Sequence, residues 1–140
     1  MKLTLFTDYG LRMLMRMASD PARMYSTSEL ANELKLSRNH LSKIMQQLAR
    51  VGIVTTQRGG GGGARLAKSP DQLVLGELVR LLEEDHPLVE CFAKDGGACT
   101  LDGQCRLKAR LRRAEAAFLA DLDNSTLADI ALRPIGKRPE

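Results

Sequence analysis

The segment CFAKDGGACTLDGQC divides this chain in two, because fifteen residues with three glycines and no apolar periodicity give a packed core nothing to use. It contains all three cysteines of the protein, Cys91, Cys99 and Cys105, spaced C-x7-C-x5-C. A loop this long inside a compact domain is uncommon, and is usually functional or disordered. Thiolates are soft ligands for zinc, copper(I) or iron–sulfur centres, and a glycine-bearing loop can wrap three of them around one metal. The competing reading is three unrelated thiols, one of them buried as a small hydrophobe. Confinement of every cysteine to one loop favours ligation.

The remaining sequence must fold on either side of that loop. At 140 residues and 44% apolar, it makes one domain, or a small domain with an appendage, around a modest core that a partner chain could enlarge. No 18-residue apolar run exists, so no membrane span is expected. The N-terminus lacks the apolar stretch and cleavage site of a secretory signal, and an odd cysteine count argues against a disulfide framework. A cytoplasmic location is expected.

Charge separates the same two halves. Residues 1–70 hold 11 Lys/Arg against 4 Asp/Glu, a net of +7, whereas residues 71–140 hold 10 against 13, a net of −3. A basic half joined to an acidic one suggests that the first meets a polyanion.

The first half also reads as a fold that would present that charge. FTDYGLRMLMRMA places Leu11, Leu14, Met15 and Ala18 on one helical face, with Thr7 as the expected N-cap. In STSELANEL, Leu30, Ala31 and Leu34 face inward, with Ser26 or Thr27 and Glu29 or Glu33 supplying the cap. After the turn KLS, Ser37 caps a third helix, RNHLSKIMQQLARVG, whose stripe is Leu41, Ile44, Met45 and Leu48 and whose end is Gly52. Two short helices joined by a tight turn form the helix-turn-helix pattern. The exposed side of the third helix offers Arg38, Asn39, His40, Ser42, Lys43, Gln46 and Gln47, with Ser28 and Ser37 at the heads of the two helices. Arg and Lys suit guanine edges, and Asn and Gln suit adenine.

IVTTQ reads as a strand, RGGGGGA as a turn and ARLAK as a second strand. A phosphate-binding P-loop would need Lys-Ser/Thr after its last glycine, and here Ala64 and Arg65 follow. A hairpin after a helix-turn-helix is a wing. Arg58 and Arg65 flank a tip (Gly59, Gly60) that can approach the DNA backbone closely, and Lys68 adds a phosphate contact.

The second half reads as an assembly device. LVLGELVRLLEE is amphipathic, and in RLKARLRRAEAAFLADLD the residues Leu107, Leu111, Ala114, Phe118 and Leu122 recur at spacings of four, three, four and four. Little else remains to cover that seam, so a second copy is expected to cover it and form a homodimer suited to two DNA half-sites. NSTLADIAL makes a short capped helix before a loose tail. There is no C-x-x-C, no Ser/His/Asp pattern and no dinucleotide fingerprint, so the chain is not expected to be an enzyme.

LTLFTDYGLRMLM, SRNHLSKIMQQL, RGGGGGARLAKSP, the three-cysteine loop and CRLKARL together resemble the Rrf family of bacterial winged-helix regulators, over about residues 1 to 131. Within it the likeness is to the nitric-oxide-sensing repressors, ahead of the regulators of cluster assembly and the iron-responsive regulators. The resemblance implies an iron–sulfur cluster, 4Fe–4S with 2Fe–2S as the alternative, in a homodimer that binds double-stranded promoter DNA and releases it on meeting nitric oxide. It implies Cys91, Cys99 and Cys105 as ligands, joined by Asp8 of FTDYG from the other subunit. Read without the resemblance, Asp8 is a charge favourably placed in a first helical turn.

Two departures bear on this. The cluster-assembly regulators carry a histidine three residues after the third cysteine, where this chain has Lys108. The seven-residue first spacer is longer than in several relatives and resembles the iron-responsive regulators. An iron- or cluster-status-responsive regulator therefore stays as an alternative. So does a zinc-stabilised DNA-binding protein, for which His86 and His40 are other ligands on paper.

The expected architecture is mainly α: a winged helix-turn-helix with a small β-hairpin wing and a long dimerisation helix. Residues 1–70 form the DNA-binding domain, 71–131 the cluster loop and dimerisation helix, and 132–140 a flexible tail.

Overall fold

The structure, a computed structural model, describes residues 1–133, so the expected tail from residue 134 onward lies outside the described residues. The helices are α1 (Leu5–Ala18), α2 (Thr27–Leu34), α3 (Arg38–Arg50), α4 (Leu75–Leu82), α5 (Arg106–Leu122) and α6 (Leu127–Ile130). Strands β1 (Val54–Gln57) and β2 (Gly63–Leu66) follow α3, and short 3-10 turns occupy Pro70–Gln72 and Glu90–Phe92. This is a mainly helical winged helix-turn-helix.

Thr4, rather than Thr7, caps α1: its hydroxyl accepts from the Thr7 N–H at 3.2 Å. The cap moved because Thr4 is itself anchored, its N–H donating to Glu83 Oε1 at 2.7 Å, while Thr7 lies fully buried inside the helix. The buried face is also rotated from the expected one. Met13, Leu14, Met17 and Ala18 are buried, while Leu11 and Met15 are only half-buried. The run LRMLMRM is apolar at so many positions that spacing fits more than one stripe, and contacts with α3, α4, α6 and β2 select this one.

The helix pair follows local chemistry. Ser26 and Glu29 complete a reciprocal capping box on α2, with the Glu29 N–H donating to Ser26 Oγ at 3.0 Å. Lys35 closes α2 in the left-handed conformation at φ 54°, and Ser37 then caps α3. Leu41, Ile44, Met45 and Leu48 are all buried, as the stripe predicts.

The wing is an antiparallel hairpin in register Val54↔Leu66 to Gln57↔Gly63. Tyr25, ahead of α2, pairs with Ala64 by two backbone hydrogen bonds of 2.8 Å, so the wing is tied to the start of the helix pair. Gly63 makes that approach possible. Its φ is +143°, and a Cβ there would stand 2.5 Å from the Tyr25 carbonyl oxygen.

One hydrophobic cluster holds the molecule, running from Met13 through Tyr25, Leu41 and Leu78 to Leu127. The chain returns to it after α5: Leu75 N–H donates to Ser125 O at 2.9 Å, and Leu127 N–H donates to Leu73 O at 2.8 Å. Helices α4 and α5 meet at Gly76, where a Cβ would collide with the Asp123 carboxylate and lie 2.8 Å from Leu119 O. Beside it Arg80 grips Asp123 through two bonds of 2.7 and 2.9 Å, holding that carboxyl below the usual carboxylate range. Because the folded value is depressed, this link contributes at neutral pH and is lost as pH falls through the carboxylate range. Among the described residues no helix is long and apolar enough to cross a membrane.

Leu127 is fully buried although α6 is only four residues long. Leu127→Ala is expected to cost about 2–5 kcal/mol, measured as a lower urea midpoint at fixed protein concentration. An unchanged midpoint would show that α6 is not part of the cooperative core.

Candidate nucleic-acid interface and metal centre

The candidate interface is built on α3. Its buried stripe turns Arg38, Asn39, Lys43 and Gln46 fully outward, and leaves Ser42 and Gln47 half-buried. Two candidates have other engagements. Ser37 Oγ accepts from the His40 N–H at 3.4 Å, and the His40 ring lies 6.1 Å from that of Tyr9 on α1. Ser28 is exposed at the head of α2. Ser42 and Gln46 share a concave surface with Thr27, Met45, Ala49, Arg50 and Thr56, which joins α2, α3 and β1. Sequence reasoning missed Thr27, Arg50 and Thr56, since only the fold brings β1 alongside α3.

In the wing, Arg58, Gly59, Gly60 and Arg65 are all exposed. The glycine run divides into two parts. Gly60 meets nothing within 4 Å of a built Cβ, whereas a Cβ on Gly62 would lie 2.5 Å from Gln57 O. The outer glycines form a bare tip, and the inner pair form its closely packed base. Behind the wing, the guanidinium carbons of Arg16 and Arg23 stand 5.1 and 4.6 Å from the Tyr25 ring centroid. Arg16 also bonds Glu33 Oε2 at 2.7 Å, which raises its already high pKa. These two arginines are therefore committed to structure. Their signal was Tyr25, a lone aromatic between Met24 and Ser26, which the sequence reading passed over.

The cysteine loop has more internal order than its composition suggests. Glu90 Oε1 accepts from the Ala98 N–H at 3.0 Å, tying together the residues that precede Cys91 and Cys99. Gly97, at φ +67°, folds back so that a Cβ would lie 2.7 Å from Glu90 O. Cys105 is the N-cap residue of α5, without a side-chain capping bond, and Lys108 reaches back to Asp102 at 3.1 Å. The Arg112 guanidinium stacks on Phe92 at 4.2 Å from the ring centroid.

All three cysteines are free thiols: Cys99 is exposed, and Cys91 and Cys105 are half-buried. Among the described residues, no three His, Cys, Asp or Glu side chains are placed to share one metal ion. Asp8 lies on α1 in a bidentate pair with Arg12, at 3.1 and 2.8 Å. His86 is exposed in the segment after α4. The donor chemistry, three unpaired thiols in one loop, fits a soft metal or cluster, but a single chain does not bring those thiols and Asp8 together.

The profile of the Rrf2 family, described as "Iron-dependent Transcriptional regulator", matches residues 3–133. The chain belongs to the Rrf2 family. It is 40% identical over 133 residues to the "HTH-type transcriptional regulator NsrR" of Shouchella clausii (strain KSM-K16), covering 94% of this chain and 89% of that protein. It is 44% identical over 131 residues to the protein of the same name from Geobacillus kaustophilus (strain HTA426), covering 93% and 89%. Among solved structures it resembles CymR, titled the global cysteine regulator of B. subtilis, at a TM-score of 0.73 and 27% identity over 94% of this chain and 96% of that one. The T. potens IscR structure shares the fold at a TM-score of 0.73 and 24% identity over 93% and 85%. The protein is thus an Rrf2-family transcription regulator.

Exposure orders the thiols. A thiol-exchange reagent should titrate all three cysteines of the metal-free, folded protein, with Cys99 reacting first. A Cys99 that reacts last, as read with single Cys→Ser variants, would contradict the arrangement of this loop.

Proposed function

We propose that the protein is a homodimeric, DNA-binding repressor that holds an iron–sulfur cluster and releases its operator on exposure to nitric oxide. The observation that carries this reading is the loop of three unpaired thiols in an Rrf2-family chain whose recognition face is exposed and polar. The resemblance of its motifs to the nitric-oxide-sensing repressors supports the choice of signal. Cys91, Cys99 and Cys105 would hold the cluster, with Asp8 of a second copy giving an oxygen ligand. When bound, such a cluster supplies iron that nitric oxide attacks, and its properties depend on ligand type, charge and exposure.

The chain's own residues carry the rest. Asp8 must exchange Arg12 for the ligand role, so engagement at the loop changes the face of α1 that bears Tyr9 and, beyond it, His40. That places the thiols of one copy and the recognition helix of the other in one two-state element, as an allosteric claim requires. On DNA, Arg38, Asn39, Lys43 and Gln46 face base edges, and Ser28 meets a phosphate at the head of α2. Ser42 supports the same surface, while Ser37 and His40 set the start of the recognition helix. Arg58, Gly59, Gly60 and Arg65 bring the wing to the backbone or minor groove. The long helix α5 has no buried residue within its own chain and leaves Leu107 61% exposed, which supports pairing with a second copy. Its DNA partner makes this a cytoplasmic protein.

The DNA reading has two expected signatures. Arg58→Ala should weaken binding to all duplexes and lower the slope of log affinity against log salt by about one unit. Gln46→Ala should relax preference at one base pair, by about 1–3 kcal/mol of discrimination. Equal loss from both variants on specific and random duplexes would contradict the assignment of α3 as the reader.

The sensor reading is tested on protein purified anaerobically. Iron and sulfide should be present, each Cys→Ser variant should lose them, and Asp8→Ala should keep a more labile cluster with an altered spectrum. Nitric oxide should abolish operator binding faster than iron chelation does. If chelation alone releases DNA and nitric oxide does not, the protein is an iron- or cluster-status-responsive regulator. Zinc without sulfide would make the site structural instead.

A further inference from the structure

A cavity of about 1010 Å³ opens between the first four residues, the last turn of α4, the segment that follows it and the middle of α5. Sites for small organic molecules run from about 300 to 1,000 Å³ and combine apolar walls with a few polar groups. This one has that composition. Val79, Leu88, Phe92, Phe118 and Leu119 all line it, Val79 buried and the other four half-buried. None of the three cysteines does.

Most of the charge around the cavity is already engaged. Arg80 holds Asp123, Arg112 lies over the Phe92 ring, and Lys94 stands 3.9 and 3.7 Å from Glu84 and Asp85. Glu83 accepts from the Thr4 N–H, and Lys2, His86 and Asp95 are exposed to solvent. Glu115 differs from all of these. It is half-buried in the lining and forms no ion pair among the described residues. A carboxylate partly withdrawn from water without a counter-charge is costly, and a cation in the cavity would remove that cost. Phe118 lies three residues further along α5, on the same side of the helix, and lines the same cavity. A carboxylate beside an aromatic ring attracts positive charge twice over, once by its own charge and once through the ring quadrupole. An anion would find no such reception, because Arg80, Arg112 and Lys94 are committed elsewhere.

The geometry points to a binding site for an organic cation, an amine or quaternary ammonium carried on a hydrocarbon or aromatic frame. Its charge sits at Glu115 and Phe118, and its frame lies against Val79, Leu88 and Leu119. The site is separate from the thiols and does not depend on the cluster or nitric-oxide reading. Its occupant nevertheless touches both halves of the chain. Thr4 in the lining caps α1, and Phe92 and Ala93 in the lining directly follow Cys91.

The test is isothermal titration of the full-length protein with octyltrimethylammonium, octanol and octanoate, which share a chain length and differ in head charge. The cation should bind once per chain and about tenfold or more tighter than the alcohol or the anion. Glu115→Gln keeps the shape of the side chain and removes its charge, so it should bring the cation to within about threefold of octanol. Phe118→Leu keeps an apolar wall without a ring, and should weaken the cation about threefold while leaving octanol unchanged. Far-UV circular dichroism confirms that both variants keep their helices. Equal binding of the three probes, no binding of the cation, or an unchanged cation affinity in Glu115→Gln would each overturn the proposal. So would cation binding that fades as protein concentration rises in step with self-association, because the cavity would then belong to a second copy of the chain.

Discussion

The arrangement depends on how closely α1 can lie against its neighbours. At Gly10 a Cβ would stand 3.1 Å from both terminal methyls of Leu82 on α4 and 3.3 Å from Ile44 on α3, so the helices cross there at close range. That crossing places one face of α1 in the common core through Met13, Leu14 and Met17. Its other face presents Asp8, Tyr9 and Arg12 beside the recognition helix. A Cβ at position 10 would require the Leu82 and Ile44 side chains to give way by a few tenths of an ångström. The helix-turn-helix half and the cysteine-bearing half of the chain are joined by packing of α1 against α3 and α4.

Much of the fold was legible because local chemistry and tertiary packing agree. The capping box of α2, the cap of α3 and its four-residue stripe are written in short-range patterns, and the structure follows each. The errors fall where a distant partner decides. Thr4 took the cap from Thr7 because Glu83, far along the chain, holds its amide. The buried face of α1 rotated because five elements, α2, α3, α4, α6 and β2, pack on it. Tyr25 gave little local signal, yet its backbone anchors the wing.

The candidate site was legible in kind rather than in geometry. Sequence identifies three thiols in one loop and a polar recognition face, since residue type alone carries that chemistry. It does not reveal that Glu90 ties the neighbourhoods of Cys91 and Cys99 together, a contact spanning eight residues with no periodic signature. Nor does it reveal that Asp8 is clasped by Arg12 within its own chain. Among the described residues of the folded monomer the thiols do not converge on one point.

Mechanically, α5 is held to the core at its C-terminal end. Its C-terminal end is fastened by the close contact at Gly76, the Arg80–Asp123 pair and the backbone bonds of Leu75 and Leu127, whereas its first turns meet the cysteine loop through Lys108–Asp102 and Arg112–Phe92. A helix of 17 residues is about 25 Å long at 1.5 Å per residue. Pivoted at Asp123, a helix of that length would act as a lever, since a tilt of about 10° there would carry the far end by about 4 Å. The thiol-bearing end is thus where the least rotation produces the most travel.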